Sequence, residues 1–272
     1  MRRSNSLTLL AGLALAAAVG PAATNLRGDV RQEKNNPARS RALEKAREDF
    51  YTVTDYDAPE PADPKERARQ RVRRNRNKII LSNLKDDPRR FMITERDESS
   101  FGLPSSHAPD EPAIPAVKSD AVVVGSVADA QAYLTGDKTD IFSEFRVRLD
   151  DVIKSSTGAL AAGDLIITTR GGGGVRFPSG KVIRYGHHGK PLPRVGRRYV
   201  LFLRHNNDGS DDYSIVTAYE LRDGHVFPLD GVALNGEVLM QYAAYQKFKE
   251  ADEAAFLGEV RRAVALSADQ PE

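Results

Sequence analysis

Residues 170–207 carry nine basic side chains and four Phe or Tyr side chains, with no Asp or Glu among them. Arginines that face solvent on neighbouring strands raise the local positive potential, and aromatic rings add stacking surfaces. The stretch predicts a ligand-binding surface for an acidic polymer or an acidic protein surface, formed by Arg170, Arg176, Lys181, Arg184, Tyr185, Arg197 and Arg198. The alternative is that these side chains pair with the chain's own carboxylates, at Asp150, Asp151 and the aspartates between 208 and 212.

Patterns typical of catalysis or of a bound cofactor are missing from the sequence. The glycines at 171–174 are not followed by the Gly-Lys-Ser/Thr of a phosphate-binding loop, so they predict a flexible hairpin loop. His187, His188, His205 and His225 lack the spacing of a zinc site. We expect no cofactor, no metal and no recognisable catalytic residue. An extracytoplasmic hydrolase whose site is assembled from scattered residues remains the alternative.

A second basic region precedes this one. Asp63, Pro64 and Glu66 predict a helix start, and the helix is expected to continue to about Leu84. Residues 65–78 contain eight basic side chains and one acidic one, a net charge of +7. Such a helix either contacts a polyanion or is a solvated surface folded back on the acidic segment that follows it. The proline-rich residues 99–117 predict a tether, which offers no rigid frame for catalysis by its Ser and His side chains.

The first 23 residues have the pattern of a secretory signal peptide: a basic start, an apolar run over 7–19 and small residues up to Ala23. We therefore expect a periplasmic or extracellular protein with no transmembrane segment in the mature chain. The absence of cysteine excludes disulfides, thiolate metal sites and thiol catalysis. The formal charge of +2 becomes zero when two arginines leave with the signal peptide, so net charge predicts no partner. Export makes nucleic acid the least expected polyanion.

The remaining pattern predicts short strands. Five consecutive apolar residues at 199–203 indicate a strand buried on both faces, and the alternation over 142–153 indicates a strand with one face in water. Further strands are expected at 121–127, 164–170, 180–185, 213–221 and 226–229. The fold class is therefore mainly β, a small antiparallel barrel over 119–230. A charged helical and proline-rich extension (24–118) precedes it, and C-terminal helices (231–272) pack on it. We place the start of the folded part at Ser119.

The segments SDAVVVGSV, FRVRLDDVIK, GDLIITT and VGRRYVLFLR follow one another in an order that resembles OB-like barrels. Netrin modules, tissue inhibitors of metalloproteinases and a group of uncharacterised exported bacterial proteins share this layout. The resemblance covers about residues 119–230 and implies an OB-like barrel that binds ligands through basic strands with aromatics. It does not imply inhibition of metalloproteinases, because that activity depends on an N-terminal cysteine.

Taken together, the sequence favours an exported, non-catalytic binding or interaction module over a hydrolase. The two hypotheses differ in the site they require. A deep cleft that contains a histidine and a carboxylate with a shifted pKa would favour the enzyme, whereas a shallow basic surface would favour the binding module.

Overall fold

The computed structural model describes residues 52–77, 112–156, 158–186, 189–231 and 240–268. The chain divides into two units, Met1–Glu44 and Lys45–Glu272, and every described residue lies in the second. The predicted signal peptide, His187 and His188 lie outside the described residues, as does most of the predicted tether. Across the described ranges, no helix combines the length and the apolar character that crossing a membrane requires.

The elements follow the chain in an order that places two of them before the predicted barrel. They are β1 (Val53–Asp55), α1 (Pro64–Arg76), β2 (Ala121–Leu134), β3 (Ile141–Ser155), β4 (Leu165–Gly171), β5 (Gly173–Arg176), β6 (Val182–Tyr185), β7 (Arg198–His205), β8 (Tyr213–Arg222), β9 (His225–Pro228), a 3-10 helix (Met240–Phe248), β10 (Ala251–Asp252) and α2 (Glu253–Ala268).

Five strands form a closed ring of backbone pairings. β2 pairs with β3 and β7, β3 pairs with β4, and β8 pairs with both β4 and β7. The pairings are antiparallel except between β4 and β8, which run parallel. β9 and β10 extend the sheet beyond β8, and β1, β5 and β6 form a separate three-stranded sheet. The predicted mainly-β class, with largely antiparallel pairing and helix at the C-terminus, is confirmed.

The strand β7 is buried on both faces, as its unbroken apolar run predicts. Tyr199, Leu201 and Leu203 belong to an apolar cluster to which all five strands of the ring contribute. Val200 and Phe202 belong to a second cluster on the opposite face, which residues of the 3-10 helix and α2 cover. All five side chains have no measurable exposure.

Gly125 lies at one of three register shifts in the pairing of β2 with β3. A Cβ atom at this position would lie 2.6 Å from the carbonyl oxygen of Arg148. A side chain would therefore force the two strands apart. β2 continues seven residues beyond its predicted end at Val127 and reaches Leu134.

The glycine run at 171–174 is not a flexible loop, so that prediction is wrong. Gly171 ends β4, and Gly173 and Gly174 begin β5, which pairs with β6 and, in parallel, with β1. A Cβ atom on Gly174 would lie 2.9 Å from a methyl carbon of Val53. The glycine is needed because β1 approaches β5 closely there.

The described part of the predicted extension contacts the sheets, so the folded part begins before Ser119. The ring of Tyr56 stacks on Phe177 with 5.1 Å between ring centroids. Ala113 and Ile114 pack against the second apolar cluster. α1 ends at Arg76 with Asn77 as its C-cap, well before the predicted end at Leu84.

Replacing Phe202 by Ala should lower the free energy of unfolding by about 3–5 kcal/mol, because it leaves a cavity in a fully buried cluster. Urea denaturation of the wild-type and variant chains measures this loss. Val195→Ala is the control, since Val195 is 55% exposed and its truncation should change stability by less than about 0.5 kcal/mol. A loss below about 1 kcal/mol for Phe202→Ala would show that β7 is not central to the core.

Candidate binding face

The seven predicted ligand-binding residues are divided between the two sheets. Arg170 lies near the end of β4 in the larger sheet, Arg198 begins β7 of the same sheet, and Arg197 precedes it. In the three-stranded sheet, Arg176 ends β5, Lys181 precedes β6, and β6 contains Arg184 and Tyr185. The basic stretch of the sequence is therefore not one continuous strand surface.

Arg170 is buried and cannot contact a ligand at the surface. Its side chain is 4% exposed and donates a hydrogen bond of 2.5 Å to Asp230. Burial raises the pKa of Asp230 despite the opposing attraction of Arg170. The pair links β4 to the segment that follows β9.

The other predicted arginines with described side chains pair with carboxylates of the same chain. Arg198 contacts Asp150 at 3.1 Å and Glu253 at 2.6 Å. Arg197 lies 3.5 Å from Glu220, and Arg176 lies 3.1 Å from Asp55. Lys181 also interacts within the chain. The pairing predicted as the alternative is thus present at Asp150, and it reduces the free positive charge of this stretch.

Two arginines outside the predicted set of seven residues lie on the outer side of β3. Arg146 and Arg148 are exposed, and neither has a carboxylate oxygen of the described residues within 4.0 Å. The exposure of these two arginines follows from the alternation of β3, in which Phe145, Val147 and Leu149 are buried. The alternation is readable from the sequence, but the lack of an acidic partner for these arginines is not.

The neighbours of these arginines come from both adjacent strands. Arg146 is in register with Asp129 on β2 and Ile167 on β4, and Arg148 is in register with Ser126 and Leu165. Leu165 is 51% exposed, so apolar surface lies beside the two charges. We call this surface the β3 face and define it by Ser126, Asp129, Arg146, Arg148, Leu165 and Ile167.

Helix α1 lies against the other end of β3 through a buried guanidinium. The Arg73 side chain has no exposure, and its Nη1 donates to Glu66 at 3.0 Å and to Glu144 at 3.3 Å. Its Nη2 donates to the carbonyl oxygen of Ser210 at 3.1 Å, and its Nε lies 3.2 Å from Asp212. A single arginine of α1 therefore contacts both β3 and the loop between β7 and β8.

The next turn of α1 makes the same kind of contact. Arg76 donates to Asp208 at 2.5 Å, to the Ser210 hydroxyl at 2.9 Å and to Asp212 at 2.7 Å. We refer to Glu66, Arg73, Arg76, Glu144, Asp208 and Asp212 together as the ion-pair network. It explains why so basic a helix can lie on the sheet, because its inward charges are matched by carboxylates.

Burial and hydrogen bonding shift the pKa values of this network in opposite directions. Burial raises the pKa of Glu144 to about 7, and the nearby Arg73 and the hydrogen bond from Gln70 offset this only in part. Burial acts in the same direction on Asp208, but hydrogen bonds from Ser210 and Arg76 outweigh it and leave its pKa lowered.

Beside α1 lies an open depression of about 660 Å³, lined by Val72, Asn75, Arg76, His205, Asn206, Asn207 and Asp208. Glu144 does not line it, so the histidine and the carboxylate with a raised pKa do not share a cleft. The His205 ring lies 2.6 Å from the side-chain oxygen of Asn207. No three His, Asp or Glu side chains within the described ranges are arranged to hold a metal ion.

Comparison of the sequence with protein-family models found no match, and comparison with curated proteins found none.

Glu144→Gln should weaken the dependence of stability on pH between 4.5 and about 7, which are the ordinary and the folded-state pKa of Glu144. In this window the folded chain binds a proton that the unfolded chain has released, so the free energy of unfolding falls as pH rises. Glutamine cannot ionise, and this part of the fall should disappear. Urea denaturation of both chains across the window measures the two slopes, and Asp230 contributes equally to each. Equal slopes would contradict the raised pKa.

Proposed function

We propose that this chain is an exported, non-catalytic binding module that recognises an acidic polymer or the acidic surface of a protein. The observation that carries the proposal is the free positive charge of Arg146 and Arg148. Both are exposed without an ion pair to a described carboxylate, whereas Arg170, Arg197 and Arg198 are paired within the chain. Arginine binds carboxylate, sulfate and phosphate groups well because its planar fork matches two oxygens at once.

The position of the β3 face supports this function. We infer that the five-stranded ring is an OB-like barrel, since its strands follow the order β2-β3-β4-β8-β7 with one parallel pairing. In OB folds the second and third strands, flanked by the loops between strands 1 and 2 and between strands 4 and 5, form the ligand surface. The corresponding strands here are β3 and β4, which carry Arg146, Arg148, Leu165 and Ile167.

The mixed chemistry of the β3 face favours an extended ligand over a small anion. Arg146 and Arg148 offer charge, and the half-exposed Leu165 offers an apolar contact beside it. Asp129 faces Arg146 across the strands and keeps the net charge of the face at +1. Anionic envelope glycans and acidic protein surfaces present both kinds of group.

The hydrolase alternative draws no support from the site. Glu144, the carboxylate with a pKa near 7, is 8% exposed and hydrogen-bonded to Gln70 and Arg73 of α1. A general acid or base must reach the substrate, and α1 covers this one.

Retention on heparin and on immobilised polyglutamate tests the proposal with the purified exported chain. The double variant Arg146→Ser/Arg148→Ser should elute at lower salt than the wild type, because exposed charges dominate such binding and are screened over about 8–10 Å. The matched control is Lys249→Ser/Arg262→Ser, which removes two exposed basic groups from the C-terminal segment. A third variant, Arg176→Ser/Lys181→Ser/Arg184→Ser, tests the strands selected from the sequence.

The comparison between variants decides the location of binding. Earlier elution of the β3-face variant than of the control, with unchanged melting temperatures, supports the proposal. Equal elution of these two variants contradicts it. Loss of retention in the triple variant alone would return the site to β5 and β6.

A further inference from the structure

Helix α1 is attached to the sheets by polar contacts. Among the described residues, none of the three apolar clusters contains a residue of α1. The two buried side chains of the helix are Gln70 and Arg73, and both bond to Glu144. Buried ion pairs contribute little net stability, because the attraction is offset by the loss of hydration. The docked helix is therefore held by a smaller free energy than an apolar helix of equal size.

The acceptors that hold the helix are fixed by the strands and by their own loop. We call Glu144, Asp208, Ser210 and Asp212 the guanidinium slot. Glu144 lies on β3 between its pairing partners on β2 and β4. Asp212 accepts hydrogen bonds from Asn206 at 3.1 Å and from the Ser210 hydroxyl, and Asp208 accepts one from the Ser210 amide at 3.1 Å. None of these contacts involves α1.

We propose that the guanidinium slot is a binding site for a helix that presents two arginines one turn apart, and that Arg73 and Arg76 of α1 occupy it as an exchangeable ligand in cis. The two residues are three positions apart and project from the same side of a helix. The Asp212 carboxylate lies 3.2 Å from Nε of Arg73 and 2.7 Å from Nη2 of Arg76. The slot is thus a receptor for basic helices, distinct from the β3 face, which takes an acidic ligand.

The contacts specify arginine over lysine. The Arg73 guanidinium donates to Glu144 through Nη1 and to the Ser210 carbonyl oxygen through Nη2, while its Nε lies 3.2 Å from Asp212. Only a planar group with five donors can serve acceptors in such different directions, whereas an ammonium is a compact point charge.

Exchange is feasible because both partners regain hydration when they separate. Glu144 and Asp212, at 8% and 0% exposure, are carboxylates whose solvation is lost while the helix is docked. A released helix carries six net positive charges over Pro64–Arg76 and is well solvated in water. The desolvation that docking requires is returned on release, which lowers the free-energy gap between the two states.

A trans-binding experiment with the full chain tests the proposal. Arg73→Gln/Arg76→Gln frees the slot, and the probe is a fluorescent peptide with the sequence of residues 61–77. Fluorescence anisotropy should show binding at least about 10-fold tighter to this variant than to the wild type, whose tethered helix competes at millimolar effective concentration. A peptide with lysine at both arginine positions is the matched probe and should bind at least about 10-fold more weakly. Asp212→Asn in the freed chain should abolish binding. Absence of peptide binding to a freed chain that melts cooperatively would overturn the proposal.

A second measurement uses the wild-type chain and does not depend on the folding of a variant. Amide hydrogen exchange should be faster in α1 than in β7, and an excess of the peptide should speed exchange in α1 while leaving β7 unchanged. Exchange of α1 at the rate of β7, with no response to the peptide, would show that the helix is a permanent part of the fold.

Discussion

The buried guanidinium of Arg73 constrains the arrangement of everything around it. A charge without solvent exposure costs several kcal/mol unless carboxylates and carbonyl oxygens surround it. The required partners come from three separate parts of the chain: Glu66 on α1, Glu144 at the start of β3, and Ser210 with Asp212 between β7 and β8. The helix can therefore dock only where the strand and the loop present these acceptors together, and loss of one acceptor leaves the docked charge without full compensation.

The C-terminal helices and helix α1 are held to the ring by different types of interaction. The ring and the C-terminal helices share an apolar cluster on one face of β7, and α1 is joined to the ring by charges and hydrogen bonds. Apolar burial is insensitive to pH and is strengthened by many salts, whereas ion pairs respond to both. The attachments of α1 and of the C-terminal helices to the same ring therefore respond differently to pH and to salt.

Local patterns predict the elements whose determinants are close together in sequence. The apolar run of β7 and the alternation of β3 are of this kind. β1 could not be predicted, because it has three residues and its parallel partner is about 120 positions away. The burial of Arg170 depends likewise on Asp230, which lies 60 residues further on. For the site, the alternation of β3 indicates that Arg146 and Arg148 face outward. Only the structure distinguishes an unpaired arginine from a paired one.

The short parallel pairing of β1 with β5 also covers one edge of the three-stranded sheet. Without β1, the Gly173–Arg176 strand would present unpaired backbone amides and carbonyl groups along one side, and its two glycines would not obstruct an approaching strand. Open edges of this type are templates for pairing between copies. β1 covers this edge, ends after three residues and is followed within a few positions by Pro59 and Pro61, so it does not offer a long new edge in its place. A chain shortened past Tyr56 would therefore be prone to edge-to-edge aggregation even with its ring intact.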